Sequence, residues 1–214
     1  MKKLLQISLV LATAFGAFSA QAQDAKAGEK KVAMCIGCHG IAGYQASFPE
    51  IYKVPMIAGQ NAKYIVSALH AYAKGDRKHP TMRGIAGSLS DQDMADVAAF
   101  YEQQAKVEPV PEAIPEAPAA VKDLLTKGAC ISCHGANLSK PIDPSYPKLA
   151  GQHPDYLSAA LRSYKTEGNA SVGRGNAIMA GQVKQFSNAE LKAIAAYIGS
   201  LPSELRTVPQ SKFR

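Results

Sequence analysis

Apolar residues recur at helical spacing in two places, and each place has a twin further along the chain. Ile65, Leu69 and Tyr72 fall at i, i+4 and i+7, and Leu157, Leu161 and Tyr164 repeat the pattern. That spacing lines one face of a helix, and core packing is its simplest role. A second stripe, Met94, Val97, Ala98 and Tyr101, is matched by Leu191, Ile194, Ala195 and Ile198. Both sets fall at i, i+3, i+4 and i+7, the pattern of an amphipathic helix. Each closing stripe follows a start signal, Ser-Asp-Gln-Asp at 90–93 and Ser-Asn-Ala-Glu at 187–190, the second being a complete capping box. Residues 24–35 and 119–130 predict two further helices. Nothing between these segments reads as a run of alternating strands, so each half is predicted to be mostly helical.

The halves share more than helices. Pro-Met-Ile-Ala-Gly-Gln at 55–60 corresponds to Pro-Lys-Leu-Ala-Gly-Gln at 147–152, in the order an internal repeat requires. Between the copies, prolines at 109, 111, 115 and 118 exclude a regular helix and favour an extended, semi-rigid spacer. Glu108, Glu112 and Glu116 are expected to keep it solvated. The predicted organisation is an N-terminal domain at 23–106, a linker at 107–120 and a C-terminal domain at 121–214. Ahead of them, Lys2 and Lys3, an apolar run at 4–18 and Ala20-Gln21-Ala22 read as an export signal cleaved after Ala22. The run is short for a membrane-spanning helix; an uncleaved anchor is the competing reading.

Chemistry enters with two copies of Cys-x-x-Cys-His, ninety-five positions apart: Cys35, Cys38 and His39, then Cys130, Cys133 and His134. This pentapeptide is the attachment signature for c-type haem. Each thiol can add to a haem vinyl group, and the adjacent histidine is held against the iron. A thioredoxin-like pair needs no histidine and expects a βαβ pattern. Zinc ribbons use far shorter spacing between their cysteine pairs than the roughly ninety residues found here. Structural disulfides across two residues are tight. Two covalently attached haem c groups are the favoured reading. All four cysteines are spent in the motifs and tryptophan is absent, so domains of ~80 residues have little else for a core. A haem would serve each as a folding element as well as a redox centre.

A haem iron held by one histidine has a second axial position, and its occupant separates carriers from enzymes. Aligning the halves sets Met82 opposite Met179, each eight residues before its serine cap and two before a glycine. The other methionines lack a partner: Met34 faces Ala129, Met56 faces Lys148 and Met94 faces Leu191. Met82 and Met179 also sit in segments that read as irregular, at 79–84 and 176–181, off any apolar stripe. Methionine is more often core filler than ligand, but in this register both are expected as iron ligands, which raises the potential. His70, His79 and His153 face Arg162, Asn176 and Asn61; surface or capping roles suit them, with His79 near enough to Met82 to compete in one state. Pro55 and Pro147 either turn the chain or lend a carbonyl to the ring N–H of a metal-bound histidine.

Together, the export signal, the two Cys-x-x-Cys-His units, the paired Pro-x-x-Ala-Gly-Gln segments, the methionine before each closing helix and the proline-rich joint resemble the cytochrome c4 family over essentially the whole mature chain. The resemblance implies an all-α protein of two tandem class I cytochrome c domains joined by a proline-rich linker, in the periplasm and peripherally membrane-associated. It implies His39 and Met82 as ligands of one haem, His134 and Met179 of the other, and carbonyls of Pro55 and Pro147 orienting the histidines. One departure is a second methionine loop longer by five residues, at 165–176, which bears on relative haem exposure. Residues 23–106 carry ten basic and eight acidic side chains, residues 121–214 twelve and six, and the linker three acidic ones. A basic C-terminal half suits steering to an acidic partner or anionic lipid, or simply a solvated surface; nucleic acid is excluded by export and haem. The expected function is electron transfer from a membrane donor complex to a terminal oxidase, with no substrate of its own. A cytochrome subunit of a periplasmic dehydrogenase and a dihaem peroxidase-like enzyme are the alternatives.

Overall fold

A computed structural model describes residues 23–106 and 110–209. The export signal expected at 1–22 lies outside the described residues, as do 107–109 within the linker. The first half contains α1 (Ala25–Glu29), α2 (Ala33–His39), α3 (Ala62–Lys74), α4 (Pro80–Gly87) and α5 (Asp91–Glu102). The second contains α6 (Ala119–Lys127), α7 (Cys130–His134), α8 (Pro154–Ser163), α9 (Ala177–Lys184) and α10 (Asn188–Ser200). Four two-residue strands complete it. β1 (Gln45–Ala46) pairs antiparallel with β2 (Tyr52–Lys53), and β3 (Arg77–Lys78) pairs antiparallel with β4 (Gly173–Arg174) of the other half, setting Arg77 opposite Arg174.

The apolar stripes bury as their spacing predicts. Met94, Val97, Ala98 and Tyr101 of α5 join Ile65 and Leu69 of α3 in one core; Leu191, Ile194, Ala195 and Ile198 of α10 join Leu157 of α8 in the other. Both closing helices start in a full capping box, Ser90 with Asp93 and Ser187 with Glu190. The helices expected at 24–35 and 119–130 are each broken. In the first half the chain turns at 30–32, so that α1 packs on α5 while α2 carries the Cys-x-x-Cys-His motif separately. In the second, Gly128 ends α6 and Ala129 takes a left-handed φ of 46° before α7.

The segment at 24–31 is tied to α5 through charge. Asp96, with only 3% of its side chain exposed, accepts from Lys31 Nζ at 2.7 Å, from the Asp24 N–H at 3.0 Å and from Gln92 Nε2 at 2.7 Å. Lys31 also meets Asp93 at 2.7 Å. Hydrogen bonds from Lys31 and Ser90 pull the Asp93 carboxyl down to about 2, and Lys31 lowers Asp96 in the same direction. A carboxylate with a depressed folded-state pKa stabilises above its unfolded value, near ~4, and loses that contribution as pH falls through the folded value. The first half is therefore expected to lose thermal stability between about pH 4 and about pH 2. Lys31→Ala should remove much of that slope in a calorimetric pH series.

The linker is not a free spacer over its described part. Val110 is buried, Tyr197 donates its hydroxyl to the Pro115 carbonyl at 2.7 Å, and Lys140 and Lys122 pair with Glu112 and Glu116 at 3.1 Å. The prolines prevent a helix as expected, while the apolar residues between them strap the segment onto the second half.

The two halves meet through their repeated Ala-Gly-Gln segments. Gly59 and Gly151 have φ of +86° and +68°, a region that side chains with Cβ avoid. A Cβ at Gly59 would also lie 2.6 Å from the Glu204 carbonyl oxygen, and one at Gly151 2.8 Å from that of Leu201. This turn precedes a glutamine that crosses to the other half. Gln60 Nε2 donates to the Lys148 carbonyl at 3.0 Å, and Gln60 Oε1 accepts from the Lys148 N–H at 2.9 Å. Gln152 does the same to Met56, at 2.8 and 3.0 Å. The two contacts fix each amide's orientation, since a carbonyl needs a donor and an N–H an acceptor. Both glutamines are buried, at 3% and 4% exposure.

Candidate functional site

Within α2, Cys35, Cys38 and His39 lie at i, i+3 and i+4, one side of a helical turn; α7 presents Cys130, Cys133 and His134 in the same way. None of the four cysteines is in a disulfide. His39 Nδ1 lies 2.8 Å from the Pro55 carbonyl oxygen and His134 Nδ1 3.1 Å from that of Pro147. A carbonyl can only accept, so each Nδ1 carries the proton and each Nε2 is left with its lone pair. That is the tautomer a metal requires. Burial pushes both histidines below the ordinary imidazole range, against the opposing pull of these hydrogen bonds, and so keeps them neutral.

Met82 and Cys35 pack against the first core, and Met179 and Cys130 against the second. The methionines are on helices, not in the irregular segments expected. Met82 is the third residue of α4 and Met179 the third of α9. The misleading signal is the cap: His79 Nδ1 accepts from the Met82 N–H at 3.4 Å and Asn176 Oδ1 from the Met179 N–H at 2.9 Å. His79 and Asn176, unlike in chemistry, hold one role. Of the other histidines, His70 on α3 approaches Asp91 at 3.8 Å, and His153 stands at the start of α8.

Sequence reasoning misses a cluster between the halves. Arg77 donates through Nη1 to the Tyr64 hydroxyl at 3.1 Å and through Nη2 to the Tyr156 hydroxyl at 2.7 Å; Arg174 donates to the same Tyr156 hydroxyl at 3.1 Å. Arg77 also lies over the Tyr72 ring, and Arg174 over the rings of Tyr156 and Tyr164. Neither guanidinium has a carboxylate in salt-bridge range among the described residues, and the buried Arg77 Nε has no partner. Burial pushes the Tyr156 phenol up, but Arg174 and Arg77 together bring it down to about 8. Both arginines and Asn176 line a cavity of about 220 Å³. Two part-buried cations whose hydrogen-bond partners are phenols invite an anion. Haem carries two carboxylates, so the cluster, the cysteine pairs outside any disulfide and the histidine tautomers all fit that group. The sequence does hold a signal: Arg77 and Arg174 each stand five residues before their methionine.

The Cytochrome c family matches this chain twice, at residues 25–104 and 118–202. Cytochrome c4 of Pseudomonas aeruginosa is 33% identical over 208 residues, spanning 94% of this chain and 100% of that protein. The chain belongs to the cytochrome c4 family. The crystal structure of reduced recombinant cytochrome c4 from Pseudomonas stutzeri superposes with a TM-score of 0.64 at 32% identity, covering 85% of this chain and 100% of that one. A thiosulfate dehydrogenase electron acceptor from Thiomonas intermedia is 28% identical over 91% of this chain and 90% of its own length. Two cytochrome c domains with one Cys-x-x-Cys-His motif each mean two covalently bound haem c groups, and the protein is an electron carrier rather than an enzyme. Among the described residues no helix is long and apolar enough to cross a membrane.

Proposed function

We propose that the protein is a periplasmic carrier that takes single electrons from a membrane quinol-oxidising complex and delivers them to a terminal oxidase. His39 and Met82 would hold the first haem and His134 and Met179 the second, with thioether links to Cys35 and Cys38, and to Cys130 and Cys133. Each haem, when bound, supplies a ferric/ferrous couple that exchanges one electron. The residues of the chain fix how that couple behaves. Pro55 and Pro147 hold each imidazole in the ligating tautomer. The caps His79 and Asn176 anchor the methionine helices. Arg77 and Arg174 offer charge to the haem carboxylates from between the halves. The domains proposed are 23–106 and 121–214 with a linker at 107–120; cleavage after Ala22 sets the start and the proline-rich joint the division.

The observation that carries this reading is the doubled arrangement of a committed histidine tautomer and a capped, core-packed methionine, one set in each half. A carrier with both axial positions filled changes oxidation state with little rearrangement. The test is a redox-poised optical titration of exported, haem-loaded protein, with carbon monoxide added to the reduced form. Two low-spin haems that ignore carbon monoxide are expected; a haem that binds it overturns the filled-site reading.

The 28% identity to an electron acceptor of thiosulfate dehydrogenase favours a second reading of the donor. In that reading the electrons come from a periplasmic dehydrogenase. Rapid reduction by a purified dehydrogenase of that class, and slow reduction by a quinol-oxidising complex, would select it.

A further inference from the structure

The crossing glutamines do more than join the halves. The Pro147 carbonyl and the Lys148 N–H belong to one peptide group, as do the Pro55 carbonyl and the Met56 N–H. His134 Nδ1–H donates to one side of its peptide at 3.1 Å, and Gln60 of the other half accepts from the opposite side at 2.9 Å. Likewise His39 donates to the Pro55 carbonyl at 2.8 Å while Gln152 accepts from the Met56 N–H at 3.0 Å. We infer that Gln60 and Gln152 are crossed positioning residues, each tuning the haem-ligating histidine of the opposite half through a single shared peptide.

The physical basis is polarisation along a hydrogen-bonded chain. Drawing on the N–H of an amide increases the negative charge on its carbonyl oxygen, which strengthens the next bond by roughly 10–30%. A stronger acceptor at Nδ1–H makes the imidazole a better donor at Nε2 and so favours ferric iron. Geometry acts in the same sense. Each glutamine grips Lys148 or Met56 at both its N–H and its carbonyl, which lie in adjacent peptide groups, and so holds the preceding proline carbonyl still against its histidine. Burial of both glutamines keeps water from substituting. Each Oε1 also accepts from the N–H of the residue after its own glutamine, Asn61 or His153. The device therefore starts from the residues that cap the N-termini of α3 and α8.

The inference rests on His39 and His134 being the axial ligands, so both are tested in one titration. Gln60→Leu and Gln152→Leu are introduced separately into the exported, haem-loaded full chain. The potential of each haem is followed by NMR, with the haems assigned through Met82→Ala and Met179→Ala. Gln152→Leu is expected to raise the potential of the haem at His39, lowering its oxidised-to-reduced ratio at fixed potential by up to about twofold. Gln60→Leu should do this to the haem at His134, and each variant should leave its own half's haem less affected. Nδ1–H of the opposite histidine should also exchange faster with solvent. Where leucine impairs haem uptake, Gln→Met keeps the side-chain length and gives the same test. A shift confined to the variant's own half, equal shifts in both, or no shift would overturn the inference. If the methionine variants act and the glutamine variants do not cross, only this inference fails; if the methionine variants move neither potential, the ligand assignment fails first.

Discussion

Met82→Ala and Met179→Ala are each expected to lower one reduction potential and to open that haem, and that haem alone, to carbon monoxide. The thioether is a soft, neutral donor that favours ferrous iron. Replacing it by water or by nothing should cost on the order of a quarter of the ~0.8 V range that axial ligation spans. The structure explains why no other side chain should rescue the site. Each methionine is the third residue of a short helix whose cap is bonded to the methionine's own N–H. It packs against the same core as the first cysteine of the motif. Truncation also removes core packing, and buried Met→Ala changes cost ~2–5 kcal/mol; partial exposure places these at the low end. Covalent haem content should be unchanged, because thioether formation depends on the cysteines. Paired potentials and carbon monoxide difference spectra measure the outcome. A variant that kept both potentials would show that its methionine is no ligand. In Met82→Ala, a low-spin haem that still refuses carbon monoxide would mean that His79 takes its place.

Much of this protein is legible in its sequence, and the unreadable part has a common cause. The stripes on α3, α5, α8 and α10 and the serine caps are local signals, carried within one or two helical turns. The Cys-x-x-Cys-His motif is local too. What escapes is local structure imposed from a distance. The breaks after α1 and α6 obey the packing of α1 on α5 and α6 on α10. The methionine helices begin at a histidine in one copy and an asparagine in the other; the aligned pair allows His79 a capping role but does not reveal the helix that each one starts. Pro80 at the first position of α4 fits a helix start, but the glycines that follow argue against one. The linker's docking depends on Tyr197, some eighty residues downstream of Pro115. The glutamines are visible as a repeated Ala-Gly-Gln, yet nothing in one half says that its glutamine serves the other. A repeat reveals which positions matter twice, but not across which surface they meet.

Arg77→Leu is expected to produce the other large effect, felt in both stability and potential. Its guanidinium has two tyrosine hydroxyls and no carboxylate among the described residues, and Nε has no partner. With haem carboxylates as its counter-ions, removing it leaves Arg174 alone to meet their charge in a part-buried cluster, a change that costs ~1.5–3 kcal/mol. Loss of a nearby cation also favours ferric iron, so a potential should fall while both axial ligands stay in place. That combination, a lowered potential without carbon monoxide binding, separates this variant from the methionine variants. Arg77→Lys should restore most of the potential, since the charge returns. It should not restore the stability, because an ammonium cannot bridge Tyr64 and Tyr156 as the planar fork does. Arg174 shares the Tyr156 hydroxyl, so the two sites are coupled and Arg77→Leu with Arg174→Leu should not be additive. A double variant whose thermal midpoint and potentials equalled the sum of the singles would place the two arginines on separate haem carboxylates with no shared network. A single variant with unchanged midpoint and potentials would remove the haem carboxylates from this cluster altogether.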